Sequence, residues 1–231
     1  MPLHIGIVGC SAEGAALCYR TICQEGAKQL HGHHHPEVSM HTHSFGDYVR
    51  YMENDDWHGV ADLMVSSTEK LKHGGADFVI CPDNTSHKAF PFLADRSPLP
   101  WLHIADVVAQ EGKTRGYKQL GLTGTRWLTE SDVYPDRIAN LGMTCLIPSQ
   151  DHRIEMGRII MEELVFGVFD PSSVAIFQCV IEDLRNTGAD AVILGCTEIP
   201  LIIDDSNSSL PTLDSTRLLA RAALRRAIDL R

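Results

Sequence analysis

The chain has 231 residues, 44% of them hydrophobic and 22% charged, a globular balance with room for one large domain or two small ones. Its formal net charge of −10 excludes a general phosphate-backbone binder, which needs a basic face, so no nucleic-acid partner is expected. No apolar run approaches the roughly 18 residues of a membrane span, and seven scattered cysteines without a CxxC pair suit a reducing cytoplasm better than a disulfide framework.

The opening MPLHIGIVGCSAEG lacks a basic n-region and reads as a buried strand, not a signal peptide. That strand is His4–Gly9, and a helix over Glu13–Gln29 follows. Next come a strand over Glu37–His43, a helix over Trp57–His73, a strand over Ala76–Pro82, a helix near His87–Leu93 and a strand over Trp101–Ile104. In the second half, Gln119–Thr123, Met143–Pro148 and Ala189–Cys196 read as strands. Ser131–Asn140, His152–Phe166 and Ser172–Asn186 read as helices. Strands rich in Val, Ile and Leu between helices indicate buried parallel sheet. A last helix over Ser215–Leu230 puts Leu218, Leu219, Ala222, Leu224 and Ile228 roughly on one face, which is expected to pack on the lobe where the chain began.

One internal repeat stands out. Gly75-Ala76-Asp77-Phe78-Val79-Ile80 and Gly188-Ala189-Asp190-Ala191-Val192-Ile193 agree at five of six positions, offset by 113 residues (75 to 188). The same offset maps Asp83 onto Cys196 and Asn84 onto Thr197. Ligands of open parallel sheets bind beyond the carboxyl ends of the strands. The pattern predicts an α/β fold of two similar lobes, residues 1–102 with 211–231 and residues 103–210. Each carries a mainly parallel sheet flanked by helices, and Asp83 and Cys196 lie on opposite walls of one cleft. A shared packing solution for a helix-to-strand turn would give the same six-residue match.

At the strand tips, Cys196 sits in Leu194-Gly195-Cys196-Thr197-Glu198. A following turn that aims N–H groups at the thiol would lower its pKa; a plain buried strand-end cysteine is the alternative. Asp83 sits in Cys81-Pro82-Asp83-Asn84-Thr85-Ser86-His87, either a reactive carboxylate among donors or a turn cap. Gly9-Cys10-Ser11-Ala12-Glu13-Gly14 and Thr123-Gly124-Thr125 are carboxylate clamps or plain tight turns. The first is not GxGxxG, so dinucleotide binding is unsupported. His103 and Asp106 either line the ligand edge or cap the next helix. His31, His33, His34, His35, His41 and His43 read as surface-loop residues. No HExxH or paired Cys/His spacing supports zinc, and no metal is expected.

The turn Gly6-Ile7-Val8-Gly9, the segment Asn84-Thr85-Ser86-His87, the segment Leu122-Thr123-Gly124-Thr125 and Gly195-Cys196-Thr197-Glu198-Ile199-Pro200 together resemble the aspartate/glutamate racemase superfamily, and most closely its aspartate racemase branch. The resemblance implies two lobes about a pseudo-twofold axis, an active site between them, a homodimer, and α-proton transfer by two cysteines without pyridoxal phosphate or another cofactor. The family's second cysteine falls on Cys196; its first falls on Asp83. Ser11, Asn84, Thr85, Ser86, Thr125 and Thr197 would hold the carboxylate of an amino-acid-like substrate. The family's usual lysine for acidic substrates falls near Glu155, with Arg153 and Arg158 as substitutes. The expected activity is racemisation or epimerisation of a small amino acid. The rivals are a one-sided decarboxylase or diacid isomerase on the same scaffold, and a non-catalytic amino-acid-binding relative.

Overall fold

The computed structural model describes residues 2–229. The chain divides into two compact units, Met1–Ile104 with Thr216–Arg231, and Ala105–Ser215. In the first unit, β1 (Ile5–Gly9), α1 (Ala12–Leu30), β2 (Val38–Thr42), α2 (Phe45–Glu53), α3 (Trp57–His73), β3 (Phe78–Ile80), α4 (Phe90–Leu93) and β4 (Trp101–Leu102) follow in order. Its sheet is wholly parallel, in the order β2-β1-β3-β4, with Ile5 opposite both Val38 and Phe78. Next come α5 (Ile104–Thr114), β5 (Gln119–Thr123), α6 (Arg126–Thr129), α7 (Pro135–Asn140), β6 (Thr144–Leu146), α8 (Gln150–Glu162), α9 (Pro171–Asn186), β7 (Ala191–Leu194) and β8 (Thr212–Asp214). The second sheet repeats the first in the order β6-β5-β7-β8, again parallel. The last helix, α10 (Ser215–Ile228), groups with the first unit from Thr216 onward. There the Leu3 N–H bonds the Ala227 carbonyl at 2.9 Å, and Arg221 forks onto Glu25. The expected end of this helix at Leu230 lies outside the described residues. Among the described residues, no helix is long and apolar enough to cross a membrane.

The Gly-Ala-Asp repeat has a definite structural job. Gly75 and Gly188 take φ of 91° and 106°, the left-handed turn that ends α3 and α9 at little cost only for glycine. The Ala76 and Ala189 N–H groups then reach back to the Leu71 and Leu184 carbonyls, both at 3.0 Å. Asp77 and Asp190 tie the incoming strand to its neighbour. Their N–H groups donate to the carbonyls of His4 and Gln119, and their carboxylates accept from the N–H groups of His4 and of Lys118 and Gln119.

A second repeat lies in Ser97-Pro98-Leu99-Pro100-Trp101-Leu102 and Ser208-Ser209-Leu210-Pro211-Thr212-Leu213, offset by 111 residues (97 to 208). In each, the serine hydroxyl donates to the carbonyl two residues on, and the prolyl carbonyl accepts from the central strand (Val79 or Val192 N–H, 2.9 Å). This copy carries β8, for which the sequence pattern gives no strand.

Other boundaries differ for local reasons. The expected strand over Trp101–Ile104 ends at Leu102, and Ile104 opens α5. Ile104, Ala105, Val108 and Ala109 are fully buried at helical spacing. The helix expected from Ser131 begins at Pro135, whose missing N–H suits a first helical position. α8 starts two residues before His152 because Ser149 caps it through the His152 N–H, and it stops at Glu162, before a 3-10 turn over Leu164–Phe166. The helix near His87–Leu93 is a 3-10 turn over Thr85–Ala89 run into α4. Met143–Pro148 pairs only over Thr144–Leu146. α2 is an additional helix between β2 and α3. Of the histidines read as loop, His31 to His35 are exposed between α1 and β2. His41 lies on β2 and His43 just after it, bonded to Ser67 and Ser66 of α3.

Candidate active site

In the second unit, β7 runs buried to Leu194. The Gly195 N–H donates to the Thr123 carbonyl of β5 at 3.0 Å, and a Cβ at this position would run into that same oxygen. The close approach requires glycine and sets Cys196, part exposed, at the strand tip. The Cys196 thiol donates to Glu198 Oε2 at 2.9 Å, and the Thr197 hydroxyl donates to the same oxygen at 2.7 Å. Glu198 is only 2% exposed. A buried carboxylate is costly unless its lone pairs are used, and here a thiol and a hydroxyl use them. Glu198 thus holds both the Cys196 thiol and the Thr197 hydroxyl on one oxygen. Sequence reading named it only as part of its motif, although a carboxylate two residues from a strand-end cysteine was a usable signal. Around this tip, the Ser215 hydroxyl donates to the Leu194 carbonyl and the Thr123 hydroxyl to the Ile193 carbonyl, both at 2.7 Å. Thr125 caps α6 through the Leu128 N–H.

In the first unit, Asp83 follows β3 and is part exposed. Its Oδ1 accepts from the Ser86 N–H at 2.8 Å and from the Ser86 hydroxyl at 2.7 Å, as a cap on the 3-10 turn does. The Asp83 carbonyl accepts from His87 Nδ1 at 2.7 Å, and His87 Nε2 accepts from the Ile104 N–H at 3.4 Å. These partners assign the ring proton to Nδ1. Behind the turn lie Cys10, Cys81 and Tyr48, all buried. Burial first, then the Asp83 charge, pushes the Cys10 and Cys81 thiols well above the usual thiol range, and burial raises Tyr48 too. Both cysteines stay protonated and out of solvent at neutral pH.

The remaining predicted residues divide between the two tips. Ser11 caps α1 through the Gly14 N–H at 3.4 Å, beyond the end of β1. Asn84 and Thr85 are buried at the head of the 3-10 turn, and both Ser86 donors point to Asp83. So Ser11, Asp83, Asn84, Thr85 and Ser86 share one sheet edge, and Thr125, Cys196 and Thr197 share the equivalent edge of the second unit. Of the two candidate arginines, Arg158 is held by Glu155 at 2.8 Å and Glu163 at 2.9 Å, which drives its pKa further up. Arg153 has a looser partner, Glu130 at 3.8 Å.

The chain is a two-unit α/β protein, and each unit is a four-stranded parallel sheet with Asp83 or Cys196 just past the end of its third strand. The chain belongs to the Asp/Glu/Hydantoin racemase family, whose sequence model matches residues 6–223. It is 24% identical over 165 residues to the broad specificity amino-acid racemase RacX of Bacillus subtilis, covering 70% of this chain and 69% of that one. It is 28% identical over 158 residues to a glutamate racemase of Thermus thermophilus, covering 67% of this chain and 56% of that protein. A crystal structure from Yersinia pestis, assigned provisionally as an Asp/Glu racemase, aligns with a TM-score of 0.89 at 32% identity over 98% of this chain and 99% of its own. An aspartate racemase homologue from Pyrococcus horikoshii aligns at 0.82 and 27%, over 98% and 99%.

Proposed function

We propose that the protein is a cofactor-independent amino-acid racemase or epimerase in which Cys196 and Asp83 serve opposite faces of one substrate. The observation that carries this reading is the 2.9 Å bond from the Cys196 thiol to the buried Glu198 carboxylate, in a chain of a racemase family. Glu198 takes the thiol proton. The resulting thiolate removes the α-proton from one face, and the carbanion's charge spreads into the substrate carboxylate. Asp83, in its acid form, returns a proton to the other face; in the reverse direction the two groups exchange roles. Ser11, Asn84, Thr85, Thr125 and Thr197 hold the substrate carboxylate as charge develops on it. An acidic substrate would find its side-chain cation in Arg153 rather than in the saturated Arg158. A cytoplasmic homodimer without pyridoxal phosphate accompanies this reading.

The test is a screen of the common amino acids of both hands for α-proton exchange in deuterated water, with chiral analysis of the product. The expected result is label in both enantiomers of at least one amino acid. Label confined to one enantiomer moves the one-sided chemistry ahead, and no exchange with any amino acid overturns the reading.

A further inference from the structure

The second unit brings together three side chains that the catalytic reading does not use. His152 lies in the first turn of α8. Cys179 and Asp183 stand four residues apart on α9, on one face of the helix. One ligand atom from each of the three lies within 4.8 Å of the other two, and His152 Nδ1 is 3.6 Å from Asp183 Oδ2. Among the described residues this is the one such grouping of histidine, cysteine and carboxylate. His152 and Asp183 also line a cavity of about 280 Å³ with Ser149, Asn186 and Thr187.

We propose that His152, Cys179 and Asp183 form a binding site for a divalent transition-metal ion of the zinc class. The donor set is one nitrogen, one sulfur and one oxygen, which suits a borderline ion and not a hard one such as magnesium. At metal–ligand bonds of about 2.0–2.3 Å, tetrahedral ligands lie roughly 3.3–3.8 Å apart. The His152–Asp183 separation is already in that range, and Cys179 and Asp183 are exposed, so small χ rotations close the rest without moving the helices. Three protein ligands leave a fourth position for water or a small oxygen ligand, and the adjoining cavity has the room. The bound ion pins the start of α8 to the end of α9. The sequence conceals the site because His152 is 27 residues from Cys179 (152 to 179), outside any familiar ligand spacing.

The experiment titrates the metal-stripped full chain with Co²⁺ and Zn²⁺. The expected result is one equivalent bound per chain, with a cobalt–thiolate charge-transfer band in the near ultraviolet. That band should vanish in Cys179→Ser and persist in Cys196→Ala. Loss of even an outer partner of a metal ligand costs about 10- to 100-fold in affinity, so His152→Ala and Asp183→Asn should each weaken Zn²⁺ by at least about tenfold. Absence of the band, its persistence in Cys179→Ser, or equal competition by Mg²⁺ overturns the site and leaves His152 and Asp183 a simple ion pair.

Discussion

Asp83 and Cys196 end equivalent strands, β3 and β7, in two sheets of the same order, yet their surroundings are inverted. Asp83 is an acceptor held by donors: the Ser86 N–H and hydroxyl both close on Oδ1. Cys196 is a donor held by an acceptor, the buried Glu198 carboxylate. One tip gathers donors around a carboxylate, and the other turns a thiol onto one. The backbone frame is shared, and the difference resides in two or three side chains past its end. A twin scaffold therefore does not require twin mechanisms, and each tip has to be broken separately.

The largest effect is expected from Cys196→Ala, which should abolish α-proton exchange while melting close to wild type, because the part-exposed thiol only borders the core of the second unit. Near-normal exchange would place the chemistry elsewhere. In the same preparation, iodoacetamide should label Cys196 and the exposed Cys179, while the buried Cys10, Cys18 and Cys81 stay unmodified. Substrate should protect Cys196 and leave Cys179 reactive. Early labelling of Cys81 would contradict the buried, protonated thiol described for it.

Asp83→Asn separates the two meanings of its tip. As a base, Asp83 serves one face, so exchange from one enantiomer should fall by about 10²- to 10⁴-fold more than from the other. As a cap, Asn replaces it with little loss, since Asn caps about as well as Asp. Equal small losses for both enantiomers would therefore leave Cys196 the lone proton-transfer group. Glu198→Gln tests the other tip. Gln keeps the volume and can still accept from the thiol, but it cannot take the proton. Exchange is expected to fall by about 10²-fold, with slower alkylation of Cys196 at neutral pH. An unchanged alkylation rate would mean that Glu198 only props the turn.

What the sequence disclosed follows from the range of the interactions involved. The strands β1, β3 and β7 are short apolar runs buried throughout, and β5 is buried from Leu120 onward, which makes all four readable. The Gly-Ala-Asp repeat was readable as a pattern, and part of its cause is the helix-to-strand turn held open as the alternative. β8 was missed because Thr212 and Asp214 look like loop, and only Pro211 lending its carbonyl to Val192 makes them a strand. α5 enters the sequence reading only as the helix that His103 and Asp106 could cap, without bounds, because its buried stripe of Ile104, Ala105, Val108 and Ala109 is partly small residues, a weak periodic signal. At the site, Cys196 and Asp83 stood out by position. The role of Glu198 did not, because its burial is a tertiary fact. The His152, Cys179 and Asp183 grouping was invisible for the same reason.

The smallest effects should come from the shared frame itself. Asp77→Ala removes one backbone acceptor at an exposed position, where the His4 N–H is bonded at 2.7 Å. Asp190→Ala removes two, for Lys118 at 2.7 Å and Gln119 at 3.2 Å, at a position less exposed than Asp77. A hydrogen bond to a charged group contributes about 1.5–3 kcal/mol when well formed, less where solvent competes. Asp77→Ala should then cost about 1 kcal/mol and Asp190→Ala about 2 kcal/mol in denaturant unfolding, followed separately for each unit if their transitions resolve. Neither carboxylate is at a strand tip: both sit where β3 and β7 begin, at the opposite edge of their sheets from Asp83 and Cys196. Exchange per folded molecule should accordingly stay within about twofold of wild type, since surface changes away from the chemistry act through stability alone. A variant that lost exchange without losing stability would show that the repeat transmits something to the tip. The shared frame and the divergent chemistry could then no longer be treated as separate parts of the molecule.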